Sequence, residues 1–154
     1  MNRKFLTVLA AAALFSMTAP SASFAGDNGN GTVTANGLVW LKDASCMQGP
    51  INWHDATAKA ASLASGSCGL SDKSTAGQWR LPSKAELTAI SSQVSLFNNV
   101  NDKYIWSSTQ ANDVAAAIVR VGNRENMFIK KTLSSYQSSG TIKTFNGWAV
   151  RSAP

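Results

Sequence analysis

Apolar and polar positions alternate over residues 77–81, where Trp79 and Leu81 are interleaved with Gln78 and Arg80. A period of two is that of a half-buried strand. Pro82 has no N–H to give a ladder and stops it. Ser83 then stands as a helix N-cap with Glu86 three residues on, the Ser-x-x-Glu pattern in which each side chain satisfies a backbone N–H at the other's position. Leu87, Ile90 and Val94 continue at helical spacing. Residues 77–87 therefore predict a strand-to-helix corner, a feature that defines a fold rather than a chemistry.

The same reading extends along the chain. Thr32-Val33-Thr34 and Leu38-Val39-Trp40-Leu41 bracket Asn36-Gly37, a strong hairpin signal. Asn52 is a good N-cap, Asp55 suits the positive end of a helix, and Ala56, Ala60, Leu63 and Ala64 follow at helical spacing, with Gly66 placed to close the helix. Residues 71–77 read as a polar loop and residues 98–103 as a turn. Tyr104-Ile105-Trp106, residues 114–121, residues 127–129 and Trp148-Ala149-Val150 read as strands, with a turn near Gly122-Asn123-Arg124. The Ser-rich residues 133–141 read as a mobile loop. Residues 26–31 read as a flexible start, since their Asp/Asn/Gly pattern lacks the later acidic ligand of a calcium loop. Strands, two helices, then strands imply an α+β domain with an antiparallel sheet.

Ahead of this domain, Asn2-Arg3-Lys4 precedes a nearly unbroken apolar run from 5 to 17, and Ser23-Phe24-Ala25 offers small residues for cleavage. That is the pattern of a secretory signal peptide cut after Ala25. The run is short of the about 20 residues that span a bilayer, and no second run of spanning length follows. The expectation is an exported protein, periplasmic or secreted, with no membrane span after cleavage. Removing residues 1–25 of the 154 leaves 129, enough for one domain with a core, and taking out Arg3 and Lys4 lowers the formal charge from +6 to +4.

The remaining positive charge is uneven. From residue 114 onward Arg120, Arg124, Lys130, Lys131, Lys143 and Arg151 face Glu125 alone. Cys46 and Cys68 are an even pair, which in an oxidising compartment reads as a disulfide. A metal site needs more ligands, and a reactive thiol pair is the weaker alternative without Cys-x-x-Cys.

Gly31-Thr32-Val33-Thr34, Gly37-Leu38-Val39-Trp40-Leu41-Lys42-Asp43-Ala44, Asn52-Trp53-His54-Asp55-Ala56, Leu63-Ala64-Ser65-Gly66-Ser67-Cys68-Gly69-Leu70, Trp79-Arg80-Leu81-Pro82-Ser83-Lys84-Ala85-Glu86-Leu87, Tyr104-Ile105-Trp106-Ser107-Ser108-Thr109 and Ala149-Val150-Arg151 stand in that order. Together they resemble the Lcl C-terminal domain family, named after a collagen-like bacterial adhesin. The resemblance implies a C-type-lectin-like α+β fold, two helices packed on a mainly antiparallel sheet of short strands. It also implies an association with sulfated glycans and a distant likeness to formylglycine-generating enzymes. The chain has no collagen-like repeat, and it lacks the Glu-Pro-Asn, Gln-Pro-Asp and Trp-Asn-Asp motifs of calcium-dependent lectins.

His54 is the single histidine. Asp55 is its neighbour on a helix, where i and i+1 do not face each other, so an ordinary surface histidine is expected and no catalytic residue, metal ligand or cofactor is assigned. Asp102 and Asp113 suit turns as well as ions. The candidate ligand contacts are the cations Arg124, Lys130, Lys131 and Lys143, which would hold sulfates or carboxylates by charge-assisted hydrogen bonds if they converge. Trp106 and Trp148 are the tryptophans to test for exposed, sugar-stacking faces. The expected function is a non-enzymatic binding module for an acidic or sulfated glycan or another extracellular ligand. The alternatives are an assembly component docking on an envelope protein and an enzyme remote from formylglycine generation. Nucleic acid is not an expected partner, because no recognised binding motif is present.

Overall fold

The computed structural model describes residues 24–154. The predicted signal peptide lies almost wholly outside them. Strands β1 (Gly26–Asp27), β2 (Thr32–Ala35), β3 (Leu38–Leu41) and β9 (Val150–Ser152) form one antiparallel sheet in the order β1-β2-β3-β9. Strands β4 (Tyr104–Gln110), β5 (Ala115–Arg120), β6 (Asn126–Lys130), β7 (Ser135–Ser138) and β8 (Thr141–Asn146) form a second, in the order β6-β5-β4-β8-β7. Among the described residues, β4–β8 is the one parallel pairing between strands, and a single parallel bridge joins Asp43 to Asn98. Helices α1 (Trp53–Ser62) and α2 (Lys84–Ile90) lie between the sheets in sequence, so the α+β expectation holds, with two sheets where one was expected.

Several local expectations hold for their stated reasons. The β2–β3 turn places Asn36 at φ 52° and Gly37 at φ 75°, the doubly left-handed turn that Asn-Gly supplies. Both predicted caps form. Asn52 accepts from the Asp55 N–H at 3.0 Å, and Ser83 and Glu86 exchange bonds at 3.1 and 2.7 Å.

Other expectations change. Residues 77–81 form no strand: Arg80 makes one isolated bridge to Val150, while Trp79 and Leu81 are buried. The alternation marked burial at a corner, not membership of a ladder. Helix α1 ends at Ser62 with Leu63 as its C-cap, earlier than Gly66. Helix α2 ends at Ile90 and passes into a 3₁₀ segment, Ser91–Leu96. Gly26 and Asp27 pair with Thr34 and Val33 instead of leading freely, and Asp27 pairs with Lys42. Residues 133–141 are no open loop: β7 pairs with β8, and Tyr136 stacks on Phe145 at 5.9 Å.

The core is rich in indoles. Trp40, Trp106 and Trp148 are fully buried and Trp79 nearly so. A buried indole needs an acceptor for its N–H, and each has one: Ala35 O, Ile51 O, Leu41 O and Ser74 Oγ respectively. Trp40, Phe97 and Trp148 pack in one cluster with centroids 4.6 to 6.2 Å apart. Cys46 and Cys68 form the disulfide, which ties the 3₁₀ turn Ser45–Met47 to the loop after α1.

Candidate functional site

The cations expected on one face fall into separate groups. Arg124 is exposed in the β5–β6 turn at φ 66°. Lys130 is exposed at the far end of β6, about 20 Å of extended chain away. Lys143 is on β8, with a different set of neighbours.

Around Lys143 the charges are already matched. Its Nζ donates to the Tyr104 hydroxyl at 2.8 Å and lies 4.0 Å from Glu125. Tyr104 in turn donates to Glu125 at 3.0 Å, and Arg120 pairs with Asp102 at 2.6 Å and Glu125 at 3.5 Å. The hydrogen bond to Tyr104 raises the Lys143 pKa against the opposing effect of burial, and the bond to Arg120 lowers that of Asp102. The cleft of about 270 Å³ beside them is lined by Lys103 as well as Asp102, Arg120 and Lys143, and Arg120 and Lys143 are the cations there that already hold carboxylate partners.

Lys131 is different. It is 4% exposed, although it adjoins the exposed Lys130 as strand alternation requires. Its ammonium donates to Gln110 Oε1 at 2.5 Å and the Asp113 carbonyl at 2.8 Å, and lies 4.7 Å from the centre of the Trp53 ring. All three partners are neutral. Among the described residues no carboxylate comes within 4 Å of it. Buried ammonium groups are ordinarily paired, because losing water costs several kcal/mol, about as much as an ion pair returns.

The fold builds a pocket at this point. Lys131 N–H bonds to Val114 O, and its carbonyl accepts from Trp53 N–H at 2.9 Å, so the start of α1, the start of β5 and the end of β6 meet. A cavity of about 390 Å³ there is lined by His54, Asp113, Val114, Lys130, Lys131 and Thr132. Val114 is 64% exposed. The His54 ring sits edge-on to Trp53 at 5.2 Å. Asp55 does not orient His54: its carboxylate takes the Asn52 amide at 2.7 Å. The arrangement places two lysines beside an exposed valine and, among the described residues, leaves His54 without a carboxylate to orient it.

Trp106 and Trp148 are not the exposed faces that were expected. Both are fully buried with their N–H groups bonded inside the fold, so neither offers a face to a sugar. Lys131 stays at the site but from beneath it. His54, Asp113, Val114 and Thr132 were not selected from the sequence, because only the β5–β6 register and the docking of α1 bring them together. The disulfide also leaves no free cysteine among the described residues. No helix among them is long and apolar enough to cross a membrane.

No curated protein matches the chain. The Lcl C-terminal domain model matches it over residues 31–151, from the turn before β2 into β9. The chain belongs to the Lcl C-terminal domain family.

Proposed function

We propose that this chain is an exported, non-enzymatic, adhesin-like binding module that recognises an acidic or sulfated glycan through the pocket of Lys130 and Lys131. The observation that carries the reading is the buried Lys131 ammonium with neutral partners only. An anionic ligand supplies the missing countercharge in a partly dry site, where charge interactions exceed their value in water. Arg120 and Lys143 are poorer candidates, since a ligand would have to displace Asp102 and Glu125. Family membership and the disulfide support the adhesin-like and exported parts of the reading. The C-type-lectin-like assignment of the fold belongs to the same proposal.

The test is binding of the purified chain to heparin and to an uncharged glycan array across a salt series. Heparin binding is expected to weaken with salt, because screening acts on exposed charge. Lys130→Ala is expected to reduce it about tenfold, Arg124→Ala and Lys143→Ala by less than twofold. Equal losses for all three would indicate diffuse attraction and no site. Salt-insensitive binding to neutral glycans would defeat the reading.

A second reading, a component docking on another envelope protein, draws on Phe128. It is 49% exposed at the centre of edge strand β6, with the Lys84 ammonium 5.5 Å from its ring centre.

A further inference from the structure

The Lys130–Lys131 pocket has more than charge. Its lining exposes mainly carbon and includes the uncovered Val114. Polysulfated chains are charged along their length and gain little from such a wall. Asp113 shares the lining, and its carboxylate is absent from the ion pairs among the described residues. A carboxylate at this place disfavours dense negative charge while accepting a hydrogen bond from an N–H or hydroxyl. Lys131 uses two of its three donors on Gln110 and Asp113. The cavity, about 390 Å³, is at the small end of the range for small-molecule sites.

A cation, a hydrogen-bond acceptor and an apolar wall therefore surround a space fit for one ring. From this we infer that the pocket selects an N-acylated acidic monosaccharide unit. The ligand carboxylate faces Lys130 and the Lys131 charge, its amide N–H faces Asp113, and its acyl methyl packs on Val114. The inference rests on the anionic-glycan reading and narrows it. Lys130 sets attraction, whereas Val114 and Asp113 set selectivity, so substitutions at the two kinds of position have different consequences. Introducing a carboxylate at 114 removes the wall and adds repulsion without disturbing a buried side chain.

Titration calorimetry and saturation-transfer NMR on the purified chain test this with five probes: N-acetylneuraminic acid, glucuronic acid, N-acetylglucosamine, an acetylated dipeptide with a free carboxylate, and a heparin hexasaccharide. N-acetylneuraminic acid is expected to bind at least tenfold more tightly than glucuronic acid, N-acetylglucosamine or the dipeptide. Val114→Asp and Lys130→Ala should each weaken it at least tenfold at an unchanged melting temperature, and Asp113→Asn should narrow its advantage over glucuronic acid. Equal binding of glucuronic acid, no effect of Val114→Asp, or tighter binding of the dipeptide overturns the inference. Binding of the heparin hexasaccharide that depends on Lys130, without binding of N-acetylneuraminic acid, overturns it and leaves the broader reading standing. If none of the five binds, both fall.

Discussion

Arg151→Ala isolates an ion pair that closes the fold. On β9, Arg151 directs Nε and one terminal guanidinium nitrogen at Asp72 Oδ2, at 3.2 and 3.0 Å. The Asp72 side chain is fully buried and that of Arg151 15% exposed. The other Asp72 oxygen takes the Ser74 N–H and hydroxyl at 3.1 and 2.6 Å, and Ser74 accepts from the Trp79 indole. Arg151 also lies 5.3 Å from the centre of the Trp79 ring. Removing the guanidinium strands a buried carboxylate, which costs about 3–5 kcal/mol. Ser74 still holds one oxygen, so the lower figure applies. For a fold of about 130 residues, about 3 kcal/mol lowers the melting temperature by about 11 °C.

The pH dependence carries a second readout. Burial pushes the Asp72 carboxyl up, but Ser74 and then Arg151 outweigh it and the pKa is lowered. A depressed carboxyl stabilises fully above its unfolded value of about 3.9 and loses that contribution as pH falls through the folded value. Without Arg151 the folded value moves up toward the unfolded one, so the acid loss becomes smaller and is complete at a higher pH, and Asp72→Asn abolishes this part of the profile. Calorimetric melting of the wild type, both single variants and the double variant from pH 3 to 7 gives the cycle. A fall of less than about 3 °C in Arg151→Ala, or strict additivity with Asp72→Asn, refutes the argument.

Replacing both Cys46 and Cys68 by Ser opens a link with a sequence separation of 22 and should cost about 3 kcal/mol in urea unfolding, with reduction of the wild type giving the same shift; no shift would deny the bridge its role. Gly31→Ala should cost about 2 kcal/mol or more, since its Cβ would stand 2.3 Å from Gly69 O at φ +83°. Gly29→Ala, also left-handed but with nothing within 4 Å, should cost about 1 kcal/mol, and equal losses would remove the clash from the explanation. Glu86→Ala should lose about 1 kcal/mol of capping, whereas Glu86→Gln keeps the cap and should stay within about 0.5 kcal/mol, because the Arg80 side chain it pairs with is 44% exposed; thermal melts that rank them the other way would reverse the assignment.

The elements legible in the sequence were those set by local chemistry. Asn36-Gly37 needs only its own backbone preference to make a turn, and Ser83 with Glu86 needs only four residues to make a cap. Misreadings arose where distant partners decide. Trp79 and Leu81 are buried as a strand's would be, but the backbone of β9 meets that segment only at Arg80. The Ser-rich stretch becomes β7 because Tyr136 finds Phe145 and β8. At the site, the Lys-Lys pair was legible as charge. Which lysine is buried was not, because it depends on Lys131 meeting Val114 across β5–β6 and Trp53 across α1.

Partners, more than positions, determine which cations a ligand can use. Of the six beyond residue 114, Arg120, Lys143 and Arg151 are engaged with Asp102, Glu125 or Asp72. At an effective dielectric of about 20, a contact pair at 4 Å is worth about 4 kcal/mol before desolvation, so a ligand taking one of these cations must first replace a comparable interaction. Arg124 and Lys130 carry no such obligation among the described residues, but Arg124 projects from an exposed turn. Lys130 sits beside Lys131, whose charge the fold buries without a counterion and surrounds with a carbonyl, an amide and an indole face. Stability alone gives no reason to keep a charge there, since an apolar side chain of similar size would fill the place at lower cost. A local choice that stability does not explain is the kind expected at a working site, and here it lies beneath the pocket at which Lys130 and Val114 meet solvent.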